Sequence, residues 1–370
     1  MEIEKVVLRK MKMRLKKPFR VSFAVIKERD FIVAEIYSGN YVGYGDCSAL
    51  PFPFYNEETN QTAWHILKDY LIPILFEKRT IDHPEEINKL FSHIRRNQMA
   101  KSALDCAVWD LYAKKSNMPL WKALGGERLQ VETGVSIGIQ KTPNDLLRVI
   151  EGHLEEGYRR VKVKIKPGQD FFYLEEVRKQ FGNIMLMADA NSAYSLKDIE
   201  LLKQLDDLNL LMIEQPLAHD DIVDHAKLQK EMKTRICLDE SIHSVEDAKK
   251  AIELGSTKTI NIKVARVGGL TEAKKIHNLC ADHNIPVWCG GMLDTGISRA
   301  HNIAVATLPN FKFPGDIPAS NRYWEKDFVS PEVVINQNSM IEVPKGQGIG
   351  FQPISSLYEE FTYEKKEFVR

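Results

Sequence analysis

The sequence has little of what marks exported, membrane-bound or nucleic-acid-binding proteins. Its 370 residues include five cysteines, an odd number without a CxxC pair, as in proteins with reduced thiols. Lys plus Arg and Asp plus Glu are 51 each, so the basic excess of a nucleic-acid-binding protein is missing. No apolar run approaches the ~20 residues of a membrane helix, and the basic N-terminus lacks the apolar segment of a signal peptide. We therefore expect a cytoplasmic protein with no nucleic-acid or membrane partner.

Two common binding signatures are also missing. The ten histidines are scattered without an HExxH motif or a Cys/His pairing, which disfavours zinc. No glycine-rich dinucleotide fingerprint follows a first strand. The sequence does have 44% hydrophobic residues, and its length fits two domains or one ~250-residue barrel with an accessory domain. An enzyme is the class that remains.

The hydrophobic pattern divides the chain into three segments. Residues 1–125 start with alternating strands, including a hairpin that turns at 38–40, and continue as helices up to two glycines, so we predict an α+β domain. Residues 126–320 repeat short apolar strands and amphipathic helices. Residues 321–370 are expected to pack back on the first domain.

The repeats in the second segment have a regular spacing. Lys164, Asp189, Glu214, Asp239 and Lys263 follow one another every 25 or 24 residues, which a strand, a helix and two loops would fill. We predict an α/β barrel with strands at 132–137, 161–165, 185–190, 211–215, 236–239, 259–264, 287–289 and 311–313. An open doubly wound sheet is the alternative, although eight units favour closure.

Strand parity predicts which charged side chains enter the barrel. Lys162 and Lys164 alternate with valines that must pack on the helices, so both lysines point inward, and the same parity sends Asp189 and Asn191 inward. A single charged residue at a strand end is solvated or caps a helix about as often as it belongs to a site. Five charged residues at one period, all at the same end of their strands, are hard to explain by solvation, because buried ions need partners or a metal.

The five strand-end residues predict a chemistry. Asp189, Glu214 and Asp239 offer an all-oxygen site for a hard cation, Mg²⁺ or alternatively Mn²⁺. Lys164 and Lys263 flank these carboxylates and would face each other across a bound substrate. A metal that chelates a carboxylate can stabilise the enediolate formed when the adjacent carbon loses a proton, and a neutral lysine can remove that proton.

At this point the chain resembles the enolase superfamily, muconate-lactonising subgroup. The segments that carry the resemblance are KVK (162–164), ADAN (188–191), IEQP (213–216), LDES (238–241) and NIKVARVGG (261–269). Two more, GGMLDTGISRA (290–300) and FPGDIPASNRYW (313–324), are similar to the o-succinylbenzoate synthase / N-succinylamino acid racemase family. One departure is Asp294, where this family more often has Glu.

The resemblance implies a fold and a set of roles. The fold would be a modified TIM barrel, (β/α)7β-like, with residues 1–125 as a capping domain that the C-terminal segment completes. Asp189, Glu214 and Asp239 would bind Mg²⁺, Lys164 would be the base with Lys162 as its electrostatic neighbour, and Lys263 would be a cation or a second acid/base. Asn191, Glu240 and Arg266 would support them. The segments 17–23 and 50–55 look like two mobile loops, and the expected substrate-binding residues are Phe19, Phe54, Tyr55, Ser136, Met292 and Leu293.

Three functions follow from this resemblance. The first is dehydration of 2-succinyl-6-hydroxy-2,4-cyclohexadiene-1-carboxylate to o-succinylbenzoate in menaquinone biosynthesis. The second is racemisation of N-succinylamino acids, and the remote third is a non-catalytic barrel that binds a ligand.

Arg266 would either lower the pKa of Lys263 or pair with a carboxylate such as Glu240 or Asp294. We also expect a homo-oligomer that acts on a small carboxylate substrate.

Overall fold

The computed structural model describes residues 1–21 and 24–370. Its strands are β1 Lys5–Arg20, β2 Val25–Ser38, β3 Tyr41–Cys47, β4 Gln130–Glu132, β5 Gly134–Ile137, β6 Arg160–Lys164, β7 Met185–Asp189, β8 Ile213–Glu214, β9 Ile236–Leu238, β10 Thr259–Ile262, β11 Val287–Cys289, β12 Val329–Ser330, β13 Met340–Glu342, β14 Gln352–Pro353 and β15 Thr362–Val369. Its α-helices are α1 Asn60–Ile66, α2 Ile72–Glu77, α3 Glu86–Leu90, α4 Gln98–Lys115, α5 Leu120–Leu124, α6 Pro143–Glu155, α7 Phe171–Phe181, α8 Ile199–Gln204, α9 Val223–Glu231, α10 Val245–Leu254, α11 Val264–Val267, α12 Leu270–Asp282, α13 Gly296–Ala306 and α14 Ser355–Phe361. A π-helical turn (Leu67–Leu71) and 3₁₀ turns (Leu196–Asp198, Leu205–Leu208, Ser320–Arg322) complete them.

The N-terminal segment forms an antiparallel sheet covered by helices. The strand order is β15-β1-β2-β3, so the C-terminal strand adds an edge to the sheet. The pairing of β1 with β15 shifts register between Lys10 and Met11, which marks a bulge in this edge of the sheet. Helix α4 packs so closely on β3 that a Cβ at Gly43 or Gly45 would collide with the α4 backbone, so glycine at these positions permits the contact. This α+β capping unit and its completion by the C-terminal segment agree with the predicted fold class.

The second segment forms a parallel sheet with helices between its strands. The strand order is β11-β10-β9-β8-β7-β6-β5, each strand pairing with the one before it along the chain. Gly157, Gly182 and Gly255 lie at or just after helix ends with positive φ, as glycine at this position favours. The apolar strand faces pack against the helices in the largest hydrophobic cluster. A barrel built from successive βα units is therefore confirmed.

The predicted strand at 311–313 is wrong, although its segment closes the barrel. Phe311 makes only an isolated parallel bridge to Val287 on β11, and Gly315 makes one to Thr133 beside β5. Hydrogen bonds from Lys312 N to Val287 O (3.0 Å) and from Gly315 N to Glu132 O (3.0 Å) join both edges. Pro314 interrupts the segment and has no N–H to donate, so the eighth position is irregular.

The interior of the barrel has a small hydrophobic cluster of its own. Met187, Met212, Cys237 and Trp288 are buried there together, and the Trp288 Nε1–H donates to Cys237 Sγ at 3.2 Å. This cluster lies below the charged residues that end the same strands, so the lower barrel is packed and the upper end carries polar side chains.

The last fifty residues divide between the two units. β13 pairs with β4 at the start of the barrel segment, and β12 pairs with β14. α14 contacts β1 and leads into β15. Only the final part of the C-terminal segment therefore adds to the capping sheet, and the boundaries at 125 and 320 stay predictions. Within the described ranges, no helix is long and apolar enough to cross a membrane.

Candidate active site

The five periodic residues meet at the C-terminal end of the barrel strands. Lys164 pairs in register with Asp189, and Asp189 pairs with Glu214. Asp239 and Lys263 directly follow β9 and β10. β6 and β10 are four positions apart among the eight around the wall, so Lys164 and Lys263 lie on opposite sides and the carboxylates occupy the three positions between them.

Each catalytic candidate lysine is held by a carboxylate. Lys164 Nζ donates to Asp189 Oδ2 at 2.7 Å and to Asn191 Oδ1 at 2.5 Å. Lys263 Nζ donates to Asp239 Oδ2 at 2.8 Å and to the Tyr55 hydroxyl at 3.0 Å. Both ammonium groups are thus aimed at the space between them by hydrogen bonds to neighbouring strands.

Lys162 lies deeper and links several carboxylates. Its Nζ is 3.0 Å from Glu214 Oε2, 3.3 Å from Asp189 Oδ2 and 2.5 Å from Asp316 Oδ2, and it lies over the ring of Trp288. Burial opposes the ammonium, but the attraction of Asp316, then Glu214 and Asp189, outweighs it and raises the pKa of Lys162. Lys162 is therefore a fixed positive charge at the floor of the site.

The pKa values of Asp189 and Glu214 are shifted in opposite directions. Burial disfavours their ionised forms, yet Lys164 and then Lys162 hold the pKa of Asp189 below its ordinary value. For Glu214, burial and then the nearby Asp189 raise the pKa. Asn261, which precedes Lys263 by two residues and so shares its parity, donates Nδ2–H to Glu214 Oε1 at 2.7 Å. The same parity could have identified Asn261 from the sequence.

The residues present fit a hard divalent cation. In this structure the carboxylate oxygens are turned toward lysines and Arg266. No three His, Cys, Asp or Glu side chains of the described residues therefore converge on one point. The donor chemistry is nevertheless all-oxygen: Asp189, Glu214 and Asp239 are buried at one end of adjacent strands. Asn261 Oδ1 and Glu240 Oε2 are buried there without a hydrogen-bond partner in the part of the chain that the structure describes. Carboxylate and amide oxygens are the ligands that Mg²⁺ prefers.

An apolar pocket lies above the lysines. It holds about 680 Å³, counting space open to solvent, and lies between the capping unit and the barrel. Of the expected residues, it is lined by Phe19, Tyr55, Ser136, Lys162, Lys164, Asn191, Lys263, Met292 and Leu293. Val21 and Leu50, from the two expected loop segments, also line it, and lining residues that the sequence did not indicate are Ile26, Asp316 and Tyr323. Such a pocket with few convergent polar groups is typical of a small-molecule site.

One expected pocket residue does not line this space. Phe54 has 60% of its surface exposed and packs on Phe52, with ring centroids 4.9 Å apart, and it lines a neighbouring cavity together with Asn191 and Arg266. Phe19 belongs to the end of β1 and contacts Tyr323 edge-on. The predicted loop 17–23 is therefore partly strand, and its residues 22 and 23 lie outside the described residues.

Arg266 pairs with a carboxylate, which is one of its two expected roles, although the partner is Asp239. It pairs with Asp239 and donates to Ile242 O at 2.8 Å, and neither Glu240 nor Asp294 is its partner. The short helix α11 turns the guanidinium back onto the strand end. Burial lowers the pKa of Lys263, but Tyr55, Glu214 and Glu240 raise it more, so it lies above its ordinary value. The expected lowering of the Lys263 pKa is wrong for this arrangement.

The supporting residues occupy the rim. Asn191 donates Nδ2–H to Glu240 Oε1 at 2.8 Å and has a positive φ of 42°, which aims its amide between Lys164 and Glu240. Leu293 also has a positive φ, 58°, where Asp294 Oδ2 accepts from Met292 N. Unusual backbone angles of non-glycine residues are often found at functional sites.

Comparisons with known proteins agree with this geometry. The family described as "Mandelate racemase / muconate lactonizing enzyme, N-terminal domain" matches residues 3–125, and "Enolase C-terminal domain-like" matches residues 145–356. An o-succinylbenzoate synthase of Geobacillus kaustophilus is 53% identical over 369 residues, 100% of this chain and 98% of that protein. An N-succinylamino acid racemase of Thermus thermophilus is 47% identical, covering 95% of this chain and 94% of that protein. A solved enolase-superfamily structure from Listeria innocua has a TM-score of 0.97 at 45% identity, covering 100% and 99% of the two chains.

Proposed function

We propose that this protein dehydrates 2-succinyl-6-hydroxy-2,4-cyclohexadiene-1-carboxylate to o-succinylbenzoate, a step of menaquinone biosynthesis. The chain belongs to the mandelate racemase / muconate lactonizing enzyme family of the enolase superfamily. The observation that carries the proposal is the pair Lys164 and Lys263, held on opposite sides of one pocket with three carboxylates between them. The 53% identity to a synthase over the full chain supports it.

Asp189, Glu214 and Asp239 would hold Mg²⁺. When bound, the ion would supply positive charge for the negative charge that develops on the substrate carboxylate as the adjacent carbon is deprotonated. The rest of the chemistry is that of the chain's own side chains.

Lys164 would take the proton from the carbon next to the carboxylate. The neutral amine is the base, and its position is set by Asp189 and Asn191. The carbon–oxygen bond to the ring hydroxyl then breaks, and the proton held by Lys164 leaves with this hydroxyl as water. Lys263 would stay an ammonium and stabilise the negative charge, which agrees with the raised pKa of Lys263.

A second activity is favoured by the same two residues. Racemisation needs a base on each face of the substrate carbon, and Lys164 and Lys263 lie on opposite sides of the pocket. The 47% identical relative named N-succinylamino acid racemase points in the same direction. We therefore propose that the protein also racemises N-succinylamino acids. Lys164 would remove the proton of one enantiomer while the Lys263 ammonium delivers a proton to the other face, and the reverse direction requires Lys263 to lose its proton against its raised pKa.

Both activities can be measured on one preparation. The dehydration is followed by the absorbance of the aromatic product, and the racemisation by polarimetry and by ¹H NMR exchange in D₂O. We expect dehydration with Mg²⁺ and α-proton exchange from both enantiomers. Exchange from one enantiomer would indicate a dedicated synthase, and the absence of both reactions would contradict the proposal. A cytoplasmic location and a homo-oligomer stay predictions, the latter checked by light scattering.

A further inference from the structure

A helix of the capping unit is bonded to the chain segment that follows Lys263. This segment comprises α11, the two glycines after it and the start of α12, residues 264–271. Lys263 is the N-cap of α11, and its carbonyl accepts the Val267 N–H at 3.1 Å. The backbone of Lys263 is therefore part of the turn that the segment forms.

Three side chains on one face of α4 bond to this segment. Gln98, Asp105 and Trp109 are seven and four residues apart, the spacing of neighbours on a helix face. Gln98 Nε2 donates to Val267 O at 3.4 Å and to His243 O at 2.8 Å. The buried Trp109 donates Nε1–H to Thr271 Oγ1 at 2.9 Å.

Asp105 makes the contact at the N-terminus of α12. Its Oδ2 accepts the backbone N–H of Thr271 at 3.1 Å, at the N-terminus of α12, whose own N-cap is Gly269 and carries no side chain. A carboxyl oxygen there satisfies a helix N–H that has no acceptor within the helix. Burial raises the pKa of Asp105 to about 7, so the contact rests on this hydrogen bond rather than on a full negative charge. Gly269 has a φ of 114°, and a Cβ there would collide with the Asp105 carboxylate, so the approach requires glycine.

We propose that α4 positions Lys263, and that Asp105 and Gln98 are positioning residues for the chemistry on the Lys263 side of the pocket. This inference rests on the proposed function for the role of Lys263. Lys164 ends β6 and none of these three α4 side chains bonds to its strand among the described residues, so the effect of α4 is confined to one of the two lysines. The capping unit thus contributes to the geometry of a barrel residue as well as covering the pocket.

The test compares proton exchange on the two faces of the substrate. Variants Lys164→Ala and Lys263→Ala first assign which enantiomer of an N-succinylamino acid each lysine deprotonates in D₂O. For the substrate enantiomer that Lys263 deprotonates, Asp105→Ala should then lower kcat on the order of tenfold to a hundredfold, with KM unchanged, as expected for a misplaced acid/base group. The rate for the enantiomer that Lys164 deprotonates should change little. Asp105→Asn keeps an acceptor for Thr271 N–H and should restore most of the rate.

Asp110 provides a matched control on the same helix. It is also a buried carboxylate, but it accepts from Tyr44 N at 2.9 Å and from Ile349 N at 2.8 Å, away from the segment. Asp110→Ala should lower stability and affect both enantiomers equally. Equal losses with Asp105→Ala, or the same asymmetry with Asp110→Ala, would overturn the proposal. If Asp105→Ala does not fold, Gln98→Ala replaces it, because Gln98 is only half-buried.

A second measurement does not depend on turnover. Hydrogen exchange of the 264–271 backbone should be faster in Asp105→Ala than in the unmodified protein and restored in Asp105→Asn, while exchange in β6 stays the same. Unchanged exchange at 264–271 would refute the positioning role whatever the activity. If the unmodified protein exchanges neither enantiomer, the proposed racemase activity fails, and this measurement still decides whether Asp105 fixes the segment.

Discussion

The ammonium of Lys162 lies 2.5 Å from Oδ2 of Asp316, which joins the charged end of the barrel to the segment that closes it. The other Asp316 oxygen is 2.6 Å from Arg160. Burial opposes ionisation of Asp316, but Arg160 and then Lys162 outweigh it and lower the pKa of Asp316 to about 2. Asp316 is thus the carboxylate that Arg160 and Lys162 share, and Lys162 is also close to Glu214 and Asp189.

We expect Asp316→Asn to destabilise the protein at neutral pH. Arg160 loses its carboxylate partner, whereas Lys162 loses one of three and keeps Glu214 and Asp189. Breaking a buried ion pair in this way typically costs about 3–5 kcal/mol. The folded pKa of Asp316 lies below the unfolded ~3.9, so its contribution is present above pH ~4 and is lost as the pH falls toward about 2. Urea unfolding at several pH values should show a difference from the unmodified protein that shrinks in acid.

The control for this variant is an exposed ion pair. Asp224 lies 2.7 Å from Lys227 on the surface, where both side chains are largely exposed, so Asp224→Asn should change the free energy of unfolding by no more than about 1 kcal/mol. An Asp316→Asn effect as small as this, or one that does not vary between neutral and acidic pH, would contradict the assigned ion pairs.

Removal of the divalent ion should abolish activity while the fold remains. Asp189, Glu214 and Asp239 are buried together, and the proposed reaction needs positive charge at the substrate carboxylate. We expect EDTA to stop turnover and Mg²⁺ to restore it. Asp239→Asn should weaken Mg²⁺ binding in calorimetry by more than the ~10–100-fold that changes around metal ligands already cost. Full turnover in EDTA would show that the carboxylates have another role.

Much of the site was predictable because its residues recur at a constant interval along the chain and share the inward-facing parity of their strands. Each βα unit repeats after about 25 residues, so Lys164, Asp189 and Glu214 fall at the same level of adjacent strands, as their register shows. Inward parity also placed Lys162 and Asn191 correctly, and applied to β10 it would have found Asn261. Regular backbone carries this information in the sequence.

The remaining features depend on irregular backbone, which has no period. Asp316 follows the barrel-closing segment around Pro314, so no alternation indicated that it faces Lys162. Pairing with a carboxylate such as Glu240 or Asp294 was one of two alternatives for Arg266, and the turn of α11 directs it to the carboxylate of Asp239. The direction of Phe54, in the turns after β3, likewise depends on loop geometry. Side-chain direction in such segments follows from tertiary contacts that local sequence does not encode.

The two lysines should be separable by substitution. Lys164→Ala should reduce dehydration by about 10²–10⁴-fold, the usual contribution of a general base. Lys263→Ala removes a buried ammonium 2.8 Å from Asp239 and should also lower kcat, yet proton exchange from the enantiomer that Lys164 serves should persist. Steady-state rates and ¹H NMR exchange of both variants provide the check. If Lys164→Ala loses less than tenfold, another residue is the base.

The last prediction concerns Asp294, which is buried in the wall of the pocket. Its Oδ2 accepts from Met292 N and from Asn302 Nδ2, each at 3.1 Å, and burial raises the pKa of Asp294 to about 6. Because the folded pKa exceeds the unfolded ~3.9, the folded protein binds this proton more tightly, so the free energy of unfolding falls as the pH rises from about 4 to 6.

Asp294→Asn should remove this pH dependence. The amide keeps an acceptor for Met292 N and cannot ionise, so the variant should resemble the unmodified protein near pH 4 and gain up to about 3 kcal/mol relative to it by pH 8. Urea unfolding of both proteins at pH 4, 6 and 8 measures this difference, and Asp224→Asn again serves as the surface control. A relative stability of Asp294→Asn that is constant across this range, or that falls as the pH rises, would mean that Asp294 stays ionised in the fold, and its carboxylate would then be a fixed negative charge beside Met292 in the pocket wall.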